Sequence, residues 1–336
     1  MPGKIQPSEK LEKLFRATAS SDEDVARKAS MQLAKALEIP LRKGIMSGDI
    51  VGGIFEEVDF PYGVAVEFPL DFLAPGTEKD FVAYTIPSQG RVPERQVEGD
   101  YVTVPTYRVG NMIDCKQQYA RDARWDVLAR MMSVLEAGFI KKDNDDGWHT
   151  LIAAGADRNI MVFDSNANSG QFTKRLVSLG KVVMRRNGGG NSASIMRGKL
   201  TDIYQSPETI EDMRNWGVDI VDEFTRREIY TTDDANGDYV NRIFGVNLHA
   251  IDELGETQEY QNYFANDLAG ALAAGDLELM VGLDLEKNDS FMHPIRQRVQ
   301  IFEDPLLPRQ QRVGWYANAE GGWACLDNRR VLLLSC

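Results

Sequence analysis

The stretch KQQYARDARWDVLARMMSVLEAGFIKK, Lys116 to Lys142, carries the strongest helical pattern in the chain. Ala120, Ala123, Val127, Met131 and Val134 recur at intervals of three and four, which places them on one stripe of a helix. Leu128, Leu135 and Phe139 flank that stripe, while Arg121, Arg124, Asp126 and Arg130 fall mostly opposite. The expected buried face is Val127, Met131, Val134 and Leu135. At 1.5 Å per residue such a helix is about 40 Å long, well above the usual length. The polar run Asp143-Asn144-Asp145-Asp146-Gly147 is expected to end it.

Before this helix the period changes to two. Val64, Val66, Phe68 and Leu70 alternate with Ala65, Glu67, Pro69 and Asp71. Phe81–Ile86 and Tyr101–Val104 are further strand-like runs, with turns at Ala74–Thr77, Pro87–Gly90 and Glu98–Asp100. Prolines through this region remove ladder donors and argue against a central sheet. An exposed antiparallel finger over Val51–Met112 fits better, and a finger needs something to lie on. Earlier still, Ser8 can cap a short helix carrying Leu11, Leu14 and Phe15. Ser21-Asp22-Glu23-Asp24 offers a capping box for a second, with Val25, Ala29, Leu33 and Leu37 on one stripe. Pro40 is expected to stop it.

After the long helix, residues 150–290 alternate helices with short strands. Ser206-Pro207-Glu208 reads as a helix start, with a capping hydroxyl and proline at the first position. Gly217, after Trp216, is a natural stop, and a second helix is expected from about Thr257 to Ala274. Strands dominate from 277: Leu277–Leu283, Ile295–Phe302, Val313–Ala317, Trp323–Leu326 and Val331–Leu334. The fold class is α+β.

The chain has 336 residues, 43% hydrophobic and 26% charged, as expected of a soluble globular protein. No apolar run reaches the roughly 18 residues a membrane span needs, and the N-terminus does not read as a secretory signal. Cys115, Cys325 and Cys336 are odd in number and scattered, which fits reduced thiols. The net charge of −13 argues against a dedicated nucleic-acid binder. The acidity is regional: residues 201–290 hold 5 Lys+Arg against 21 Asp+Glu, a net of −16, whereas residues 1–50 hold 9 against 7.

Chemistry-bearing motifs are few. His149, His249 and His293 lack metal-ligand spacing and read as ordinary histidines. Gly190-Asn191-Ser192-Ala193-Ser194 lacks the closing glycine of a nucleophile elbow, and no phosphate loop or dinucleotide fingerprint is present. Asp143–Gly147 and Asp233–Asp238 do not match a calcium loop and read as helix-end and turn chemistry. Arg185-Arg186, Arg226-Arg227 and Arg329-Arg330 read as exposed, or as meeting carboxylates on a neighbouring subunit. No catalytic, cofactor-binding or metal-ligating residue is assigned.

The order of these elements resembles the major capsid proteins of tailed bacteriophages, the Hong Kong 97-like capsid fold. The local likeness lies in Val104–Gly110, in Thr201–Glu208 running on to Arg214-Asn215-Trp216, and in the closing Arg312–Tyr316, Gly321–Asp327 and Val331–Leu334. The resemblance implies an N-terminal arm (1–48), an extended loop (49–113) and a peripheral domain with a spine helix (114–160). It further implies a mainly axial domain (161–290) and C-terminal strands (291–336) that return to the peripheral domain. It also implies a non-enzymatic shell subunit, forming hexamers and pentamers around double-stranded DNA in the virion after assembly in the host cytoplasm. Implied partners are further copies, a separate scaffolding protein, a portal and a decoration or cement protein. DNA contact would be non-specific, and the mildly basic arm (Lys4, Lys10, Lys13, Arg16) is its best candidate. Lys79 is the only lysine of the loop, and no glutamate-lined pocket for a crosslink accompanies it. Two readings compete. An encapsulin-type nanocompartment would hold protein cargo in the same fold, and an α+β enzyme would be a monomer or small oligomer with a defined pocket.

Overall fold

The computed structural model describes residues 9–20, 22–48, 50–69, 101–168, 170–187, 198–214, 216, 241–268, 278–286 and 290–336. The long helix is present, but its ends and its buried face both differ from expectation. A short helix, Gln117–Arg121 (α3), is followed by a break at which Ala123 takes a left-handed φ of 51°. The main helix then runs from Trp125 to Asp157 (α4), 33 residues, or about 50 Å. Asp143–Gly147 lies inside it. The polar run does not end α4 because burial resumes beyond it: Trp148, Leu151 and Ile152 are at most 1% exposed. Asn144 is used in place, its Oδ1 accepting from the backbone N–H of Ile50 and Val51 at 3.2 and 3.3 Å.

The core face of α4 is Leu128, Met132, Leu135 and Phe139, spaced four, three and four, and all at most 3% exposed. Val134, placed in the core from sequence, is 60% exposed, and Val127 and Met131 are only partly buried. The break at Ala123 explains the error, since the stripe was started from residues outside α4.

The chain divides into two compact units, each drawn from three stretches. The first comprises Met1–Val66, Thr103–Gly147 and Met292–Ala324. Its N-terminal part is Glu9–Ala17 (α1) and Glu23–Gly48 (α2). Ser8 and Ser21 lie outside the described residues. Asp22 caps α2, its Oδ1 accepting from Asp24 N–H at 3.1 Å. Pro40 does not stop α2. Continuing the helix buries Leu41 and Ile45; two such side chains contribute about 3–6 kcal/mol, enough to offset the ~3 kcal/mol cost of an internal proline. The apolar stripe of α2 finds its partner on this chain, because Leu33, Leu37 and Leu41 join one core with Leu128, Leu135 and Trp315. Val25, the first member of the expected stripe, is 46% exposed.

The sheet of this unit runs β1 (Glu56–Asp59), β10 (Phe291–Glu303), β11 (Arg312–Gly321), β4 (Tyr107–Lys116), with β12 (Ala324–Cys325) also on β10. β11 and β4 pair antiparallel over ten residues, Arg312↔Lys116 through Gly321↔Tyr107. Alternation sends Val313, Trp315 and Ala317 into the core and leaves Tyr316 outside. Two segments placed in the finger, β1 and most of β4, are thus strands of this sheet, and a 3-10 turn, Val51–Gly53, precedes β1. The finger's stem is narrower: Glu67–Pro69 (β2) pairs with Tyr101–Thr103 (β3), and Val104 N–H donates to Val66 O at 2.9 Å. Val66 and Phe68 are buried as the alternation predicts, but Val64 is 48% exposed. Residues 70–100, with Leu70, Lys79 and Pro75–Gln89, lie outside the described residues.

The second unit comprises Glu67–Val102, Trp148–Phe291 and Cys325–Cys336. Its sheet has the order β5 (Met161–Phe163), β13 (Val331–Ser335), β9 (Leu279–Leu283), β6 (Asp202–Gln205), β8 (Val246–Ala250), β7 (Asn241–Ile243). Lys174–Asn187 (α5) and Pro207–Arg214 (α6) cover one face through Leu176, Val177, Met184 and Met213. A Cβ on Gly180 would fall 2.8 Å from Leu334 Cδ2, which measures how closely α5 lies on β13. The expected start of α6 is present, with Ser206 Oγ accepting from Thr209 N–H at 3.3 Å. The helix expected from Thr257 is Glu259–Tyr263 followed by one π turn, Phe264–Leu268; Gly217 and 269–277 lie outside the described residues. The closing strands part company. β10 and β11 join one sheet, whereas Val331–Ser335, expected to return with them, pairs with β9 and β5.

Candidate interaction surfaces

The three histidines are held by ordinary contacts. His149, on α4, stacks near Tyr263 with ring centroids 4.0 Å apart. His249, on β8, has Nε2 2.9 Å from Asp202 Oδ1 and lies over Tyr204. His293, on β10, has Nδ1 2.8 Å from Gly322 O and stacks on Trp323 at 3.9 Å. Among the described residues no group of three or more His, Cys, Asp or Glu is placed to hold a metal ion, and no helix is long and apolar enough to cross a membrane. The thiols are poor nucleophiles: removal from water pushes Cys115 up to about 11, and Cys325 and Cys336 up to about 12.

The arginine pairs separate into two kinds. Arg329 and Arg330, expected to be exposed or to reach a neighbour, are buried at 8% and 6% and are paired within the chain. Arg330 Nη1 meets Asp284, itself 1% exposed in its side chain, and Arg329 Nε donates to Asp327 Oδ1 at 2.7 Å. A buried guanidinium needs such partners, because an isolated charge there is costly. Arg158 completes the arrangement by donating to the carbonyls of Arg329 and Val331 at 3.1 and 2.8 Å. This network was missed because Asp284 lies 46 positions from Arg330. Arg185 and Arg186 are exposed as expected, in the last turn of α5. Arg226-Arg227, Asp233–Asp238, Gly188–Gly190 and Asn191–Ser194 lie outside the described residues.

In the first unit a groove of about 110 Å³ is lined by Ile45, Val109, Ile295, Val299 and Trp323 together with Arg42, Glu57, Asp143, His293, Arg298 and Glu320. Arg298 is itself tied to Glu57 at 2.8 Å and Asp59 at 3.2 Å. The lining is therefore mixed, with apolar and charged side chains side by side. In the second unit the polar surface is separated by sign. The sequence of α5, KRLVSLGKVVMRRN, holds five cations and no acid. Glu208, Glu211, Asp252, Glu253, Glu256 and Glu259 are all exposed acids of α6 and the 252–259 segment. Nearby, the Glu278 carboxyl is held above the usual carboxylate range, first by burial. A hydrogen bond from Ser206 Oγ opposes this, and the charges of Glu208, Asp212 and Glu256 add to it.

No family model matches this sequence and no curated protein matches it. Solved structures do match it in fold. Microbacterium phage Oxtober96 aligns at a TM-score of 0.57 and 10% identity, over 86% of this chain and 90% of that chain. The cyanophage Pam1 capsid asymmetric unit aligns at 0.54 and 13% identity, over 84% and 88%. The capsid of an empty GTA particle aligns at 0.50 and 12% identity, over 86% and 89%. The chain therefore has the Hong Kong 97-like capsid fold, α+β in class.

Proposed function

We propose that this chain is the major capsid protein of a tailed phage, a shell subunit that assembles as hexamers and pentamers around double-stranded DNA. The observation that carries the reading is the end-to-end likeness to phage structures, the Pam1 capsid among them, over more than four-fifths of both chains. In this reading residues 1–48 are the arm, the narrower stretch from β2 to β3 is the extended loop, 161–290 is mainly the axial domain, and β10 and β11 are the strands that return to the peripheral domain. The subunit's site is the virion shell, reached from the host cytoplasm. A separate scaffolding protein, a portal and a decoration or cement protein are its further partners. Packaged DNA touches it weakly and without sequence preference, because the acidic 201–290 region repels phosphate.

Electron microscopy of the purified chain tests this. Closed shells that retain nucleic acid when isolated from infected or expressing cells are expected. A monomer at every concentration sinks the reading, and shells filled only with protein cargo replace it with the nanocompartment alternative. Deleting Pro75–Gln89 is expected to leave a folded subunit that assembles poorly, since the loop's support lies on a neighbour; normal shells from that deletion contradict this part.

A further inference from the structure

α5 is an anomaly in its surroundings. The second unit holds 18 Lys+Arg and 31 Asp+Glu, a net of −13, so it carries the net charge of the whole chain. Five of its cations lie on this one helix of 14 residues. Leu176, Val177 and Met184 turn inward, so Lys174, Arg175, Arg185 and Arg186 are left exposed, together with Val182 at 47%. Lys181 is tied down by the carbonyl of Phe244 at 2.6 Å, and Arg175 reaches Asp164 at 3.7 Å. Arg185 and Arg186 form no ion pair with the described residues. The helix dipole favours cations in a last turn, but that explains their tolerance rather than an apolar Val182 beside them. The same unit presents the exposed acids of the α6 and 252–259 shoulder. Among them Glu208, Asp252, Glu253 and Glu256 likewise have no ion-pair partner among the described residues.

We propose that the cationic face of α5, centred on Val182, Arg185 and Arg186, docks on the acidic shoulder at Glu208, Glu253 and Glu256 of a second copy of this chain. Two different, complementary patches on one subunit make a heterologous contact, which repeats from copy to copy and closes into a ring when the rotation allows. Complementary charge also fixes register and speeds encounter. Nucleic acid is the less favoured occupant. A second copy carries the same net −13, but it approaches with its acids gathered on a patch that matches the cations of α5 in short-range pairs, whereas a polyanion is repelled along its whole length. The inference rests on the shell reading for the repetition of the contact, and the two can fail separately.

The test is charge reversal in the full chain. Arg185→Glu with Arg186→Glu should reduce assembled material about tenfold or more at low salt, with an unchanged melting temperature. Glu253→Lys with Glu256→Lys should do the same. A chain carrying all four substitutions should assemble again, because the pairing is restored with its signs exchanged. Self-association of the wild type, read by sedimentation velocity, should weaken as salt rises. If either pair assembles normally, or if both pairs fold and fail but the fourfold chain also fails, the proposal is overturned. It is also overturned if the arginine reversal leaves shells intact and removes only their retained nucleic acid. A wild type that forms no shell, yet loses low-salt association on arginine reversal, sinks the capsid reading and leaves this contact standing.

Discussion

The two units reach stability by different means. The first holds 20 Lys+Arg and 20 Asp+Glu, and its buried polar side chains among the described residues are Thr18 and Ser30. Its ion pairs stay in reach of solvent, with the cation 74% exposed at Arg108–Glu320 and still 33% exposed at Arg42–Glu38. The second holds 18 and 31, and it buries Asp202, Gln205, Ser206, Asp284, Arg329 and Arg330 among others. A core with few polar groups is sensitive to volume and indifferent to charge. A core that contains charges is sensitive to the loss of a partner and to pH. The same chain therefore offers two kinds of fragility.

The sharpest break should come in the second unit. Arg330→Ala strands Asp284 in the interior and is expected to cost about 3–5 kcal/mol in urea unfolding. Arg330→Met with Asp284→Leu should recover most of that loss; no recovery would mean that the pair contributes more than mutual neutralisation. In the first unit the matching blow is to volume. Leu135→Ala should cost about 2–5 kcal/mol, while Val134→Ala, one position away and exposed, should stay within about 0.5 kcal/mol. Equal effects would place the buried face of α4 wrongly.

A finer contrast uses glycine. Replacing glycine by alanine inside a helix normally stabilises it by about 1 kcal/mol. At Gly147 the sign should reverse, because a Cβ would fall 2.2 Å from Cγ1 of Val51, itself fully buried. A net loss of about 1–3 kcal/mol is expected for Gly147→Ala, relieved by adding Val51→Ala; a rise in melting temperature would show that the contact can yield.

The smallest effect is pH dependence, and it belongs to the second unit. Because the folded-state pKa of Glu278 is raised, its contribution is present at low pH and is lost as pH rises through that raised value. Asp202 runs the other way. Burial pushes its carboxyl up, but hydrogen bonds from His249, Thr201 and Asn247 outweigh this and hold it below the usual range. Its contribution is present above the unfolded pKa and lost as pH falls through the folded one. Melting temperature against pH should lose its fall on the rising side in Glu278→Gln, and its acid-side fall should soften in Asp202→Asn. Unchanged profiles in both variants would remove these groups from the account.

What could be read from the residues follows the range of the interactions. Local signals held: the Ser206-Pro207 start of α6, the existence of the long helix, and the strands around Val313 and Leu333 all rest on neighbours within a few positions. Signals that needed distant partners failed. Pro40 looks like a stop until Leu41 and Ile45 are seen to reach the core, and Asp143–Gly147 looks like an end until Trp148 does. Val331–Leu334 is plainly a strand, but nothing in it says that its neighbours are β9 and β5 rather than β10 and β11. Among the candidate surfaces, Arg185 and Arg186 were placed correctly because exposure is local to their helix. Arg330 was not, because Asp284 is brought to it only by the pairing of β13 with β9.

That pairing has a consequence in time. β13 lies between β5 and β9 and supplies an interior strand of the second sheet from residues 331–335. The first sheet likewise waits for β10 and β11, from 291–321. A ribosome making this chain has therefore released most of it before either unit can close. Until then the nascent chain exposes apolar strands that chaperones can hold. Neither sheet can form in full on a nascent chain that still lacks these strands.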